Sequence, residues 1–239
     1  MAWNCKPSGA YALTSNEGVE NMNEYYSYMS AYTTKNNVIG QLCNVFAESG
    51  LNPWRWQSDT VNTSGGYGLY QFTPASGYIN LSGVPGHSPN MSTSQVSGGS
   101  TTDATAQMYV FANNTLSKWT TRCWRRYWNV GDTWDGPPKY PDLWDIHTHI
   151  LNTYGDGSSI SLSQFFSIDN VSDACFCFLA CFEGPQVPNF ALRMSYAQTI
   201  SDAIGGGPVP PGPEPPTPTT DDEFVVASLF MLDKVRYKR

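Results

Sequence analysis

One carboxylate, Glu48, stands where an amphipathic helix reaches its end, and that junction constrains the chain more than any other feature of its sequence. Val38, Ile39, Leu42, Val45 and Phe46 recur at helical spacing, and Gly50 is a natural C-terminal stop. At about 100° per residue, Glu48 falls on the edge of the apolar stripe and so looks out from the rim of a core. Downstream, NTSGGYGLYQFTP (62–74) changes from helical to extended character. Gly65 and Gly66 supply a turn and Tyr67 to Phe72 alternate, which reads as a short hairpin or paired extended strands.

The rest of the chain reads as support for this stretch. At 239 residues, with 40% hydrophobic and 14% aromatic content, it can bury one good-sized core. A net charge of −7 argues against a nucleic-acid binder, which needs basic surface to neutralise phosphates. The local basic cluster Arg122, Arg125 and Arg126 reads as a solvated or carboxylate-paired surface. The first residues lack the basic and apolar regions of a signal peptide, and no apolar run approaches the roughly 20 residues of a membrane span. Six cysteines occur without CxxC spacing, three of them in the apolar run ACFCFLACF. They read as reduced core thiols rather than zinc ligands. His147 and His149, two apart, would not face one metal from a helix, so neither a metal nor a cofactor is expected.

A helix is expected from about 15 to 31, opened by a Thr14–Glu17 capping box. Residues 77–101 read as a long surface loop, and helical spacing resumes at Asp103. Five tryptophans follow within 119–144; such density either fills a core or lines a groove for sugars, and the polar setting of Trp134 favours exposure. Helices from Asp173 to Phe182 and from Phe190 to Ile204 close the body, giving a domain over 1–204. Residues 205–220 are a Pro/Gly-rich linker. Residues 221–239 are apolar between acidic and basic flanks, readable as helix or strand, and want a docking partner.

An acid that protonates a leaving oxygen must keep its proton near neutral pH. The last turn of a helix disfavours the anion, and Phe46, Leu51, Trp54 and Trp56 would strip water from Glu48. With these residues in view, NVFAESGLNP followed by GGYGLYQFTP resembles the catalytic core of the lysozyme superfamily. It is similar to goose-type lysozymes and lytic transglycosylases, and most of all to the tail-associated lysozymes of bacteriophages. The later CFEGPQVPNFALRMSYAQ extends the resemblance, which covers about residues 15–204. It implies a mainly α (α+β) lysozyme-like domain with a small β-hairpin beside an active-site cleft. It also implies Glu48 as general acid, with Gly66, Gly68, Leu69 and Gln71 on the floor of a glycan groove. Tyr67 and Tyr70 would contact sugar or pack, Ser64 could hold a water, and Trp134 is a candidate sugar platform. Glu183 and Arg193 match the late segment and are read as a structural ion pair. Asp59, between the acid and the hairpin, is the candidate second carboxylate, although transglycosylases of this kind manage with one glutamate.

The implied substrate is the glycan strand of bacterial peptidoglycan, cut between N-acetylmuramic acid and N-acetylglucosamine. The implied setting is a phage product made in the host cytoplasm and carried at the tail tip for genome delivery, with 221–239 docked on other tail proteins. An endolysin that lyses the host, or an inactive wall-binding tail protein, are the alternatives.

Overall fold

The computed structural model describes residues 3–93 and 99–204. The linker and docking segment expected over 205–239 lie outside the described residues. The chain runs β1 (Trp3–Cys5), α1 (Asn16–Met29), α2 (Lys35–Ser49), α3 (Ala75–Ile79), β2 (Gly99–Thr101), α4 (Asp103–Ala112), α5 (Pro141–Thr153), α6 (Leu162–Phe165), α7 (Val171–Phe178), α8 (Phe190–Ser195) and α9 (Ala197–Ala203). The body is therefore mainly helical. Its two short strands pair antiparallel, Asn4 opposite Ser100. None of the described helices is long and apolar enough to cross a membrane.

The organising element is α2, which touches α1, α7, α8 and α9. Its Thr34 cap accepts from the Asn37 N–H at 3.3 Å, and its apolar residues Val38, Ile39, Leu42, Cys43 and Val45 are all buried. Gly40 lets α7 approach closely: a Cβ there would stand 2.6 Å from the Cys175 nitrogen and 2.8 Å from the Ala174 Cβ. The helix stops as the sequence indicates, at Gly50 in the left-handed conformation (φ 57°). The Tyr11 N–H then donates to the Gly50 carbonyl at 2.8 Å, laying the N-terminal arm across the helix end.

A polar stripe accompanies the apolar one. Asn37, Gln41 and Asn44 are fully buried at helical spacing, and Glu48 is the next residue in the series. Asn37 donates to the carbonyls of Phe165 (2.7 Å) and Ile168 (3.2 Å). Gln41 donates to Asn37 (2.7 Å) and accepts from the Tyr25 hydroxyl (2.8 Å), while Asn44 donates to the Cys175 carbonyl (3.0 Å). Every amide thus has a partner, the condition under which a buried polar group stabilises rather than costs.

Several expectations are corrected here. The cap of α1 is Ser15, which accepts from the Gly18 N–H, because Thr14 lies one residue outside the helix. The expected hairpin over 62–74 is a compact turn with isolated bridges, Trp56 to Tyr67 and Tyr67 to Phe72, since the chain reverses before a ladder can form. Helix α5 goes unnoticed in the sequence although Pro141 at its start and buried His147, Ile150 and Leu151 carry the period. The helix expected over Asp173–Phe182 is α7, capped by Asn170, continued by a wide π-type turn over Leu179–Glu183. The last helix is two, α8 and α9, separated at Tyr196.

Replacing Gly40 with alanine should force α2 and α7 apart and lower unfolding stability by about 1–3 kcal/mol. Chemical denaturation of Gly40→Ala against the unaltered protein measures this.

Candidate active site

Glu48 occupies the last turn of α2 and is only 19% exposed at its side chain. Its Oε1 accepts from Nη2 of Arg193 at 2.7 Å. Arg193, on α8, is itself nearly sealed, and its Nη1 donates to Oδ1 of Asn44 at 3.2 Å. One guanidinium therefore bridges two residues a helical turn apart on α2, and fixes where the carboxylate points.

That arrangement corrects one expectation. The sequence pairs Arg193 with Glu183, whereas its guanidinium is committed to Glu48 and Asn44. Glu183 closes the π-type turn, and its Oε1 is buried without a hydrogen-bond partner. Burial first, and then the charge of Glu48, hold its carboxyl well above the usual carboxylate range, against the pull of Arg193, Lys118 and Arg125. Two carboxyls in one charge-coupled cluster thus sit in unlike surroundings, one facing a guanidinium and one starved of donors. A π-type turn inside a helix is itself a recurrent feature of functional sites.

The segment carrying Glu183 is held from the Trp-rich stretch. Arg125 Nε donates to the Ala180 carbonyl at 2.6 Å, the Tyr127 hydroxyl to the Gly184 carbonyl, and Trp128 Nε1 to the Pro185 carbonyl at 2.9 Å. Arg125 lies so close to Gly184 that a Cβ there would stand 2.4 Å from its Cζ. The basic cluster is thus divided: Arg125 is built into the turn, and Arg122 lies 4.4 Å over the ring of Trp134. Trp134 is exposed as expected, at 48%, whereas Trp124 and Trp128 are core.

The turn after α2 is anchored by α4. Asp103 is fully buried and accepts from the hydroxyls of Tyr67 (3.1 Å) and Tyr78 (2.7 Å), the Ser88 N–H and Gln107. Gln107 in turn accepts from the Leu69 N–H at 2.6 Å. Tyr67 and Tyr70, expected to touch sugar or pack, are packed: both are buried, and Tyr70 meets the Tyr25 hydroxyl at 3.0 Å. The glycines also have a different reason from the one expected. A Cβ on Gly68 would lie 2.2 Å from the Gln107 Oε1, and one on Gly66 would lie 2.8 Å from the Gln71 Oε1. They make room for the protein's own amides. Gln71 donates to the carbonyls of Arg55 and Gly68, both at 3.0 Å, while its Oε1 is buried without a partner. Ser64 is exposed.

Asp59, the candidate second carboxylate, is exposed and in the left-handed conformation. Its Oδ1 accepts from the Gly9 N–H at 2.8 Å and lies 3.4 Å from Arg55 Nε. These contacts tie the segment after α2 to the N-terminal arm.

Asn44, which shares the Arg193 guanidinium with Glu48, is absent from the sequence expectations, and its place in the Asn37, Gln41, Asn44, Glu48 series is the signal that marks it. The arrangement can give and receive a proton at Glu48 beside a fixed positive charge. A 48-residue stretch is 52% identical to Morphogenesis protein 1 of Bacillus phage B103, covering 20% of this chain and 13% of that protein's length. The model of the phage tail lysozyme family matches residues 20–204, which takes in α2, the turn, the π-type turn and Arg193. The chain belongs to the phage tail lysozyme family.

Proposed function

We propose that this protein is a muramidase of a phage particle that cleaves the β-1,4 bond between N-acetylmuramic acid and N-acetylglucosamine, with Glu48 as general acid. The observation that carries the reading is the Arg193 guanidinium 2.7 Å from Glu48, on a helix end inside the family match. As the glycosidic bond breaks, Glu48 delivers its proton to the leaving oxygen and becomes a carboxylate. Arg193 is already in place to receive that charge without reorganisation. Desolvation and the nearby charge of Glu48 hold the Glu183 carboxyl well above the usual carboxylate range, which disfavours a second anion beside Glu48. Water then completes hydrolysis at the anomeric carbon, the Glu48 carboxylate being available to take its proton. Exposed Trp134 offers an indole face for a sugar ring, and exposed Ser64 offers a hydroxyl on the turn after α2.

Asp59 has a positioning role in this scheme, because its carboxylate already holds the Gly9 N–H and faces Arg55. The protein acts from the virion, on the wall crossed during genome delivery, and residues 221–239 dock it to other tail proteins.

Three outcomes follow. Glu48→Gln keeps an acceptor for Arg193 and should fold with unchanged circular dichroism, melting lower because a buried charge loses its partner. Its release of soluble fragments from purified peptidoglycan should fall at least about 100-fold, the low end of what losing a general acid costs. Asp59→Asn should retain activity within about tenfold in the same fragment-release assay; a loss as deep as that of Glu48→Gln would make Asp59 the base instead. Glu183 gives a pH dependence. Its native carboxyl titrates above the unfolded value of about 4.3, so the stability it confers is complete below that pH and is lost as pH rises toward the native value. Glu183→Gln removes this loss, and the melting-temperature advantage of the variant should widen from pH 5 to pH 8.

A further inference from the structure

Cys123, Cys177 and Cys181 are fully buried and free, and their three sulfurs lie within 4.8 Å of one another. The other three cysteines join no such group among the described residues. Cys177 and Cys181 are one turn apart where α7 passes into the π-type turn, with their sulfurs 3.9 Å apart. Cys123 comes from the Trp-rich stretch and has a φ of 53°, a conformation uncommon for a residue with a side chain. Its surroundings fix it there: the Thr120 N–H donates to the Cys181 carbonyl at 2.8 Å, and His147 Nδ1 lies 2.8 Å from the Cys123 carbonyl.

Thiolates bound to one zinc ion at about 2.3 Å stand about 3.8–4.0 Å from each other, by the geometry of tetrahedral and trigonal sites. The Cys177–Cys181 separation already has that value, and Cys123 needs only a small approach. Charge is also provided for. Three thiolates and a divalent cation carry one net negative charge, and the Arg125 guanidinium donates to the Ala180 and Phe182 carbonyls on either side of Cys181. We propose that Cys123, Cys177 and Cys181 form a buried site for a single thiophilic d10 cation, Zn2+ or Cu+, that staples the Trp-rich stretch to the π-type turn bearing Glu183.

Soft sulfur donors with no oxygen ligand select this class of ion over magnesium, calcium or manganese. Binding expels the thiol protons and needs no oxidant. The ion lies on the far end of α7 from its Asn170 cap and takes no part in glycan chemistry. Its role is to hold in register the turn that Arg125, Tyr127 and Trp128 also grip. The sequence reading of these cysteines as plain core thiols is the alternative.

The test uses the untagged full chain, produced in medium supplemented with zinc and, in a second arm, refolded anaerobically with Cu+ or with Cd2+ as a spectroscopic probe. Elemental analysis should find about one metal ion per chain, and X-ray absorption should show about three sulfur neighbours at roughly 2.3 Å for zinc. Cys177→Ser and Cys123→Ser should lose the ion, while Cys43→Ala keeps it. The wild-type measurements stand even if a variant fails to fold. Substoichiometric metal in the zinc arm together with no Cu+ uptake and no thiolate-to-Cd2+ absorption overturns the proposal, as does a mass two hydrogens lighter that maps to a disulfide within the trio.

Discussion

A buried guanidinium governs this molecule. Arg193 is enclosed by α8 and the end of α2, and a charge so placed is tolerated only where acceptors surround it. Asn44 and Glu48 supply them, and so the packing of α8 on α2 and the aim of the carboxylate are one requirement. In the proposed mechanism the same contact serves the chemistry, because the positive charge stands where a departing proton would leave a negative one.

The requirement spreads along α2. Asn44 can accept from Arg193 because its own amide nitrogen is spent on the Gly40 and Cys175 carbonyls, which brings α7 to bonding distance across Gly40. One turn earlier Gln41 reaches the Tyr25 hydroxyl, which meets Tyr70 in the turn. On the far side of that turn Asp103 and Gln107 take its tyrosine hydroxyl and backbone amide. A continuous hydrogen-bonded path thus runs from the acid's own helix into the turn beside it. Networks of this kind specify one arrangement when every member is satisfied. Five buried side-chain atoms among the described residues lack a partner, Trp3 Nε1, Trp54 Nε1, Gln71 Oε1, Asn90 Nδ2 and Glu183 Oε1, and only the last stands in the charge cluster with Glu48.

Much of this was legible in advance. The apolar period and Gly50 placed α2 and its end, and the ESG and GYGLYQF pair carried the resemblance. What escaped has physical reasons. Tyr67 and Tyr70 are readable in the sequence either as sugar contacts or as packing, and only the fold decides: the turn is too compact for a sheet, and Asp103 and Tyr25 draw both rings inward. The pairing of Arg193 with Glu48 joins residues 145 apart in sequence, and only the fold decides between Glu48 and Glu183 as its partner. The π-type turn leaves no mark on periodicity, being a single added residue in an otherwise apolar helix. The polar stripe on α2 is visible in the sequence as Asn37, Gln41, Asn44 and Glu48 at helical spacing, beside the apolar residues that define the same helix.

The central claim, that Glu48 acts on the glycan strand with water as the acceptor, is tested most directly by mass analysis of the fragments this protein releases from purified peptidoglycan. The account predicts soluble disaccharide-containing fragments ending in reducing N-acetylmuramic acid. Intact glycan strands, or fragments ending in 1,6-anhydro sugars, would contradict it.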